Sequence, residues 1–142
     1  MADPLFLDTG YAIALNSPRD RYHGAALDWE QRIRIDGVPV VTTRAIQLEI
    51  GAAFSRLAYR AAGAMILDAL ERDPAISVVP VDDDIYRRAL DLFASRGDKE
   101  WSLTDCISFV VMGDRGITRA LSADSHFAQA GFEVLLHVTP AP

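Results

Sequence analysis

Two apolar rhythms alternate along this chain. Short runs rich in apolar residues, Leu5–Leu7, Val38–Val41, Ile76–Val81, Ile117–Leu121 and Phe132–Leu136, read as five buried strands. Pro39 puts the second near a strand start or an edge. Between them, apolar residues recur at helical steps of three and four. Tyr11 to Leu15 reads as a helical turn stopped by Asn16-Ser17-Pro18. Tyr22 to about Arg34, with Ala26, Trp29 and Ile33 on one face, reads as a helix ended by Asp36-Gly37. Thr42 or Thr43 caps a helix from Arg44 to about Tyr59, and another follows from Ala61 to Leu70. Asp82, Asp83 and Asp84 open a helix over Ile85–Ser95, where acids meet free amides and the helix dipole. Two more helices are predicted, from Leu103 to Gly113-Asp114-Arg115-Gly116 and over Ser125–Ala130.

Strands separated by helical stretches need crossover connections, so the pattern predicts an α/β fold with a mainly parallel sheet and helices on both faces. No internal repeat or low-complexity linker interrupts it. With 142 residues the expectation is one domain over residues 1–142, with a loose tail from about 138. In such sheets ligands bind beyond the carboxyl ends of the strands, near a switch in strand order. Asp8 ends the first strand, and Asp124 follows the fourth. Ser102 is an N-cap with Asp105 three residues on, a capping box with Asp in the place of Glu or Gln. Glu49 lies about two turns into the helix after the second strand, which brings it back over the same edge.

Each acid alone has a plain explanation as a cap, a dipole partner or solvated surface, and spacing does not prove that the four meet. If they do meet, they repel unless some are protonated or a cation is bound. Hard oxygen ligands without a cysteine cluster or a His pair point to Mg²⁺ or Mn²⁺ over Zn²⁺. The chemistry that needs such a site is phosphodiester hydrolysis by metal-activated water. Asp8 and Asp105 are the expected direct ligands, because backbone geometry fixes each at an element end.

The net charge of −6 argues against a binder that works by bulk positive charge. Setting the four acids aside leaves −2, so RNA is not excluded. The basic residues are thirteen Arg and one Lys. Arg44, Arg96, Lys99 and Arg119 flank the acidic segments and are candidates for phosphate contacts. The single cysteine, Cys106, permits no intrachain disulfide and reads as a small buried hydrophobe. No apolar run is long enough to cross a bilayer, and the start, Met1-Ala2-Asp3-Pro4, lacks a signal-peptide pattern. The expectation is a cytoplasmic protein without membrane attachment.

Four pieces carry a family resemblance. They are Leu7-Asp8-Thr9, Glu49 in the second-strand helix, Trp101-Ser102-Leu103-Thr104-Asp105-Cys106, and Leu121-Ser122-Ala123-Asp124-Ser125-His126-Phe127 followed by Ala130-Gly131-Phe132. In their order and spacing the chain resembles a PIN domain, specifically the VapC-type toxins of bacterial toxin–antitoxin pairs. The resemblance implies a three-layer α/β/α sandwich with a five-stranded parallel sheet. It also implies a metal-dependent endoribonuclease held inactive by a small antitoxin, with Asp8, Glu49, Asp105 and Asp124 as the acidic quartet. Thr9 matches a polar residue that supports the site, and Gly10 stands where many relatives carry a polar side chain. Thr104 is a candidate to orient Asp105 or a water, and His126 reads as structural. A nuclease with a housekeeping role and a catalytically inactive interaction module are the alternatives. Ala45 to Leu70 has more apolar positions than one core-facing stripe needs, so part of it is expected to be covered by the antitoxin or by a second subunit in a twofold dimer.

Overall fold

The computed structural model describes residues 2–137, and the tail expected from about 138 lies outside the described residues. Five strands, β1 (Leu5–Leu7), β2 (Val40–Thr43), β3 (Ile76–Val79), β4 (Arg119–Leu121) and β5 (Glu133–Val134), form one parallel sheet in the order β3-β2-β1-β4-β5. The helices are α1 (Thr9–Asn16), α2 (His23–Asp36), α3 (Arg44–Ala53), α4 (Arg60–Arg72), α5 (Asp83–Ser95), α6 (Leu103–Arg115) and α7 (Ser125–Gln129). The strand order runs one way from β1 to β3 and the other way from β3 to β5, and right-handed connections then put α1 to α4 on one face and α5 to α7 on the other, in three layers. The chain winds outward from β1 to β3, then returns to lay β4 against β1. The strand order therefore switches between β1 and β4, and a crevice opens beyond their carboxyl ends.

The core is built on β1, whose three residues are all buried. Phe6 and Phe127 of α7 are fully buried with ring centroids 6.1 Å apart. Phe109 of α6 meets Phe127 and Trp101 edge-on, each at 5.1 Å. Trp101 is thus a packing residue, and its indole N–H donates to Gln129 Oε1 at 3.0 Å. Cys106 is fully buried in the same layer.

Several element boundaries differ from the sequence expectation, with β3, β4 and β5 shorter than the apolar runs that predict them, and for two elements the cause is visible. The second strand starts and ends two residues later than Val38–Val41, because Thr42 and Thr43 have buried roles. Thr42 Oγ1 donates to the carbonyl of Leu7 at 2.9 Å, and Thr43 Oγ1 caps α3 by accepting from the Ile46 amide. The helix expected to reach Tyr59 stops at Ala53. Phe54 turns inward there and is buried against α4, where Gly63 allows a close approach. A Cβ on Gly63 would lie 2.6 Å from the Phe54 Cβ.

Candidate active site

The crevice beyond β1 and β4 is a cavity of about 490 Å³. Asp8, Glu49, Asp105 and Asp124 all line it, so four segments distant in sequence converge on one edge of the sheet. Asp20 and Glu100 bring its carboxylates to six, and none of its lining side chains is Lys or Arg.

Asp8 leaves the end of β1 as the N-cap of α1. It is 9% exposed, and Ser122 Oγ donates to its Oδ2 at 2.7 Å. Burial pushes its carboxyl from 3.8 up to about 7, against the opposing pull of the Ser122 hydroxyl and the Thr9 amide. The charges of Glu49 and Asp105 raise it further. Glu49 comes from α3, and Thr9 Oγ1 donates to its Oε1 at 2.6 Å.

Asp105 serves the helix and the cavity together. Its Oδ2 accepts from the Ser102 amide at 3.0 Å, Ser102 Oγ accepts from the Asp105 amide, and the capping box of α6 is closed. The same Oδ2 lies 2.9 Å from His126 Nδ1. Asp124 caps α7 through Oδ1, which accepts from the His126 amide at 2.9 Å and lies 3.4 Å from His126 Nδ1. Ser122 Oγ also accepts from the Asp124 amide, so one hydroxyl ties the end of β4 to Asp8. Glu49, Asp105 and Asp124 are each held through one oxygen. Among the described residues, Glu49 Oε2, Asp105 Oδ1 and Asp124 Oδ2 have no hydrogen-bond donor.

This donor set fits a hard divalent cation. Ligand atoms of Asp105, Asp124 and His126 lie within 4.8 Å of one another, and a buried carboxyl with a raised pKa lies in the same cavity. Asp8, expected with Asp105 as a direct ligand, does not join that group of three. It is drawn toward Ser122 at the cavity floor.

Not every expected residue reaches the cavity. Thr104 does not line it, and what it contributes is its carbonyl, which accepts from Ser108 Oγ within α6. Arg44, Arg96, Lys99 and Arg119 do not line it either. Arg44 is turned to Gln47 and Glu71, Arg96 grips Asp98 through two nitrogens, and Arg119 pairs with Glu133 at 3.2 Å. Lys99 is 4.0 Å from an Asp98 already taken by Arg96. Sequence reasoning missed Ser122 as the partner of Asp8, and Asp20 and Glu100 as cavity acids. For Ser122 a signal was present, since a Ser two residues before an N-cap Asp is placed to accept that Asp's amide. His126, read as structural, places its Nδ1 2.9 Å from Asp105 Oδ2 and 3.4 Å from Asp124 Oδ1, within the same group of three possible ligands.

A second cavity, of about 710 Å³, lies between α1, α2, α4 and the β2–β3 edge. It is lined by apolar side chains that include Leu15, Ile33, Met65 and Ile66.

The PIN domain family model matches residues 5–133. The 23S rRNA-specific endonuclease VapC20 of Mycobacterium tuberculosis, in strains H37Rv and CDC 1551, is 30% identical over 130 residues, covering 90% of this chain and 95% of the relative. The crystal structure of Mycobacterium tuberculosis VapC20, described as a sarcin-ricin loop cleaving toxin, superposes with a TM-score of 0.78 at 27% identity, over 90% of this chain and 95% of that one. FitAcB from Neisseria gonorrhoeae shares the fold, with a TM-score of 0.65 at 16% identity, over 92% of this chain and 96% of that one.

Proposed function

We propose, for a chain that belongs to the PIN domain family, the activity of a divalent-metal-dependent endoribonuclease of the toxin type, cleaving single-stranded or looped RNA. The observation that carries this reading is the convergence of Asp8, Glu49, Asp105 and Asp124 on one cavity at the switch in strand order. These four residues would hold the ion, Mg²⁺ or Mn²⁺. When bound, such an ion would neutralise charge on the phosphate and make an attacking water more acidic than it is in bulk.

The chain's own groups do the rest. Thr9 fixes Glu49, Ser122 fixes Asp8, and His126 with the capping box fixes Asp105. Little side-chain freedom is then left to lose when a ligand binds. Asp8 holds a proton below about pH 7 and gives it up when a cation arrives, so binding releases protons. Of the four basic candidates, Lys99 is the best placed for RNA, because it adjoins the cavity residue Glu100 and its one acidic neighbour is shared. The name of the VapC20 relative makes 23S rRNA the first substrate to test.

The partner reading follows from the α3–α4 face. Leu48, Leu57 and Met65 are exposed, with Leu57 93% accessible, and Met65 also lines the second cavity. A small antitoxin covering that face in the cytoplasm, and a twofold dimer of the toxin, complete the reading. Ribosomal RNA and a mixed RNA pool, incubated with Mg²⁺ or with EDTA and mapped at their ends, provide the test. Discrete cleavage that needs the metal is expected. Asp105→Asn should fold, since the amide oxygen of Asn can still accept from the Ser102 amide in the capping box, but lose most of that cleavage. Full activity in Asp105→Asn, or cleavage resistant to EDTA, sinks the reading.

A further inference from the structure

The lining of the active cavity poses an electrostatic problem. Its six carboxylates are unrelieved by any Lys or Arg in the lining, and three of the four cations expected to help are paired with acids elsewhere. A polyanionic strand reaching this cavity must meet positive charge at its rim. The connection between α1 and α2 supplies it. Asp20 and Tyr22, from this connection, form part of the cavity wall. Arg19 and Arg21 flank Asp20 in the chain and are both exposed. Among the described residues, neither lies within 4.0 Å of a carboxylate.

The loop is held in shape by its own bonds. The Asp20 amide donates to the Ser17 carbonyl at 2.9 Å, the Tyr22 amide to Asp20 Oδ1 at 2.8 Å, and the His23 amide to the Asp20 carbonyl at 3.0 Å. His23 Nδ1 also lies 2.7 Å from the Ala14 carbonyl, which ties the loop's end to α1. Asp20 is thus occupied with backbone, and among the described residues neither guanidinium group has a carboxylate partner. The Arg21 guanidinium sits over the Tyr22 ring, 5.1 Å from its centroid. An aromatic ring beside an Arg without a carboxylate partner is a combination that single-stranded nucleic acid uses, with the phosphate on the fork and a base on the ring face that the Arg leaves open.

We propose that the segment Ser17–Tyr22 is the RNA-contacting wall of the site, with Arg19 and Arg21 taking backbone phosphates of the strand that enters the cavity and Tyr22 offering a stacking face to an unpaired base. This rests on the reading of the protein as an RNA-cleaving enzyme. The test is Arg19→Gln/Arg21→Gln in the full chain, with Arg72→Gln and Arg88→Gln as controls on arginines paired with acids. For cleavage of a single-stranded RNA, the double variant should raise KM about tenfold or more. The slope of log(kcat/KM) against log[salt] should flatten by about 1.4, at ~0.7 for each phosphate no longer neutralised. Turnover of bis(p-nitrophenyl) phosphate, a diester with no chain to bind, should stay within about twofold of wild type, as should RNA cleavage by each control. Anisotropy of a labelled single-stranded RNA in EDTA reads the same binding without cleavage, and Tyr22→Leu should weaken it about fivefold or more. An RNA affinity and salt slope unchanged in the double variant overturn the proposal, as does wild-type protein that binds no RNA. Protein that binds RNA through these arginines but does not cut it refutes the nuclease reading and leaves the RNA-contacting wall standing.

Discussion

Asp8 is the residue on which pH should act. Its carboxyl titrates near 3.8 when the chain is unfolded and at about 7 in the fold, mainly because it is buried. Between those values the folded state binds the extra proton, so metal-free stability falls as pH rises from about 4 to about 7 and is level above that. At 1.36 kcal/mol per pH unit the whole window is worth about 4 kcal/mol. Melting in EDTA should therefore be lower at pH 8 than at pH 5, and Asp8→Asn should flatten the difference. An Asp8→Asn protein with the wild-type pH slope would assign that slope to other groups. Ser122→Ala removes a bond to the charged form of Asp8, so the acid limb of metal-dependent cleavage should move to higher pH. A pH–rate profile measures this directly. That Asp8 and Asp105 reach the cavity is legible in the sequence, because each stands where a strand or helix boundary is visible. Ser122 is only partly legible. That its hydroxyl bonds Asp8, 114 positions away, depends on β4 lying beside β1, and no local pattern encodes that pairing.

Helix α4 sets two effects against each other at Gly63. Alanine is favoured over glycine inside a helix by about 1 kcal/mol. A methyl group there meets the Phe54 Cβ at 2.6 Å, an atom fixed to the backbone that cannot swing away, and overpacking of this kind costs about 1–3 kcal/mol. Gly63→Ala should therefore lower the urea midpoint, and a raised midpoint would mean that the α3–α4 turn yields. The same close approach explains why α3 ends before its expected boundary. Ser55 to Tyr59 contains neither Pro nor Gly, so the local sequence permits the helix to continue, and the tertiary packing of Phe54 ends it. Elements whose boundaries are written locally match their expected spans closely, such as α6, with its capping box at one end and Gly116 at φ 65° at the other. Outward-facing side chains of the α3–α4 pair should carry partner binding and little stability. Leu57→Glu and Met65→Glu, both exposed, should change unfolding free energy by no more than about 0.5 kcal/mol. They should also abolish co-purification of an antitoxin expressed alongside. Retained co-purification would move the partner to another face.

For the whole molecule, the presence of a parallel sheet is implicit in the alternation of strands and helices, but the return of β4 to the side of β1 is not, because crossover rules leave more than one order open. That return has a consequence for the order in which the protein comes into being. The central strand β1 leaves the ribosome first, and one flank is filled early by β2 while the other waits for β4. Asp124, Ser122 and His126 also arrive late, so the cavity has no far wall until most of the chain has been made. Pairings this distant in sequence form slowly, and N-terminal segments collapse before them. A nascent chain therefore has an incomplete acidic cavity until synthesis passes α7. Chains released after Gly116 lack Ser122, Asp124 and His126 and should show no metal-dependent cleavage of RNA. The α3–α4 surface is thus synthesised before the walls of the acidic cavity are complete.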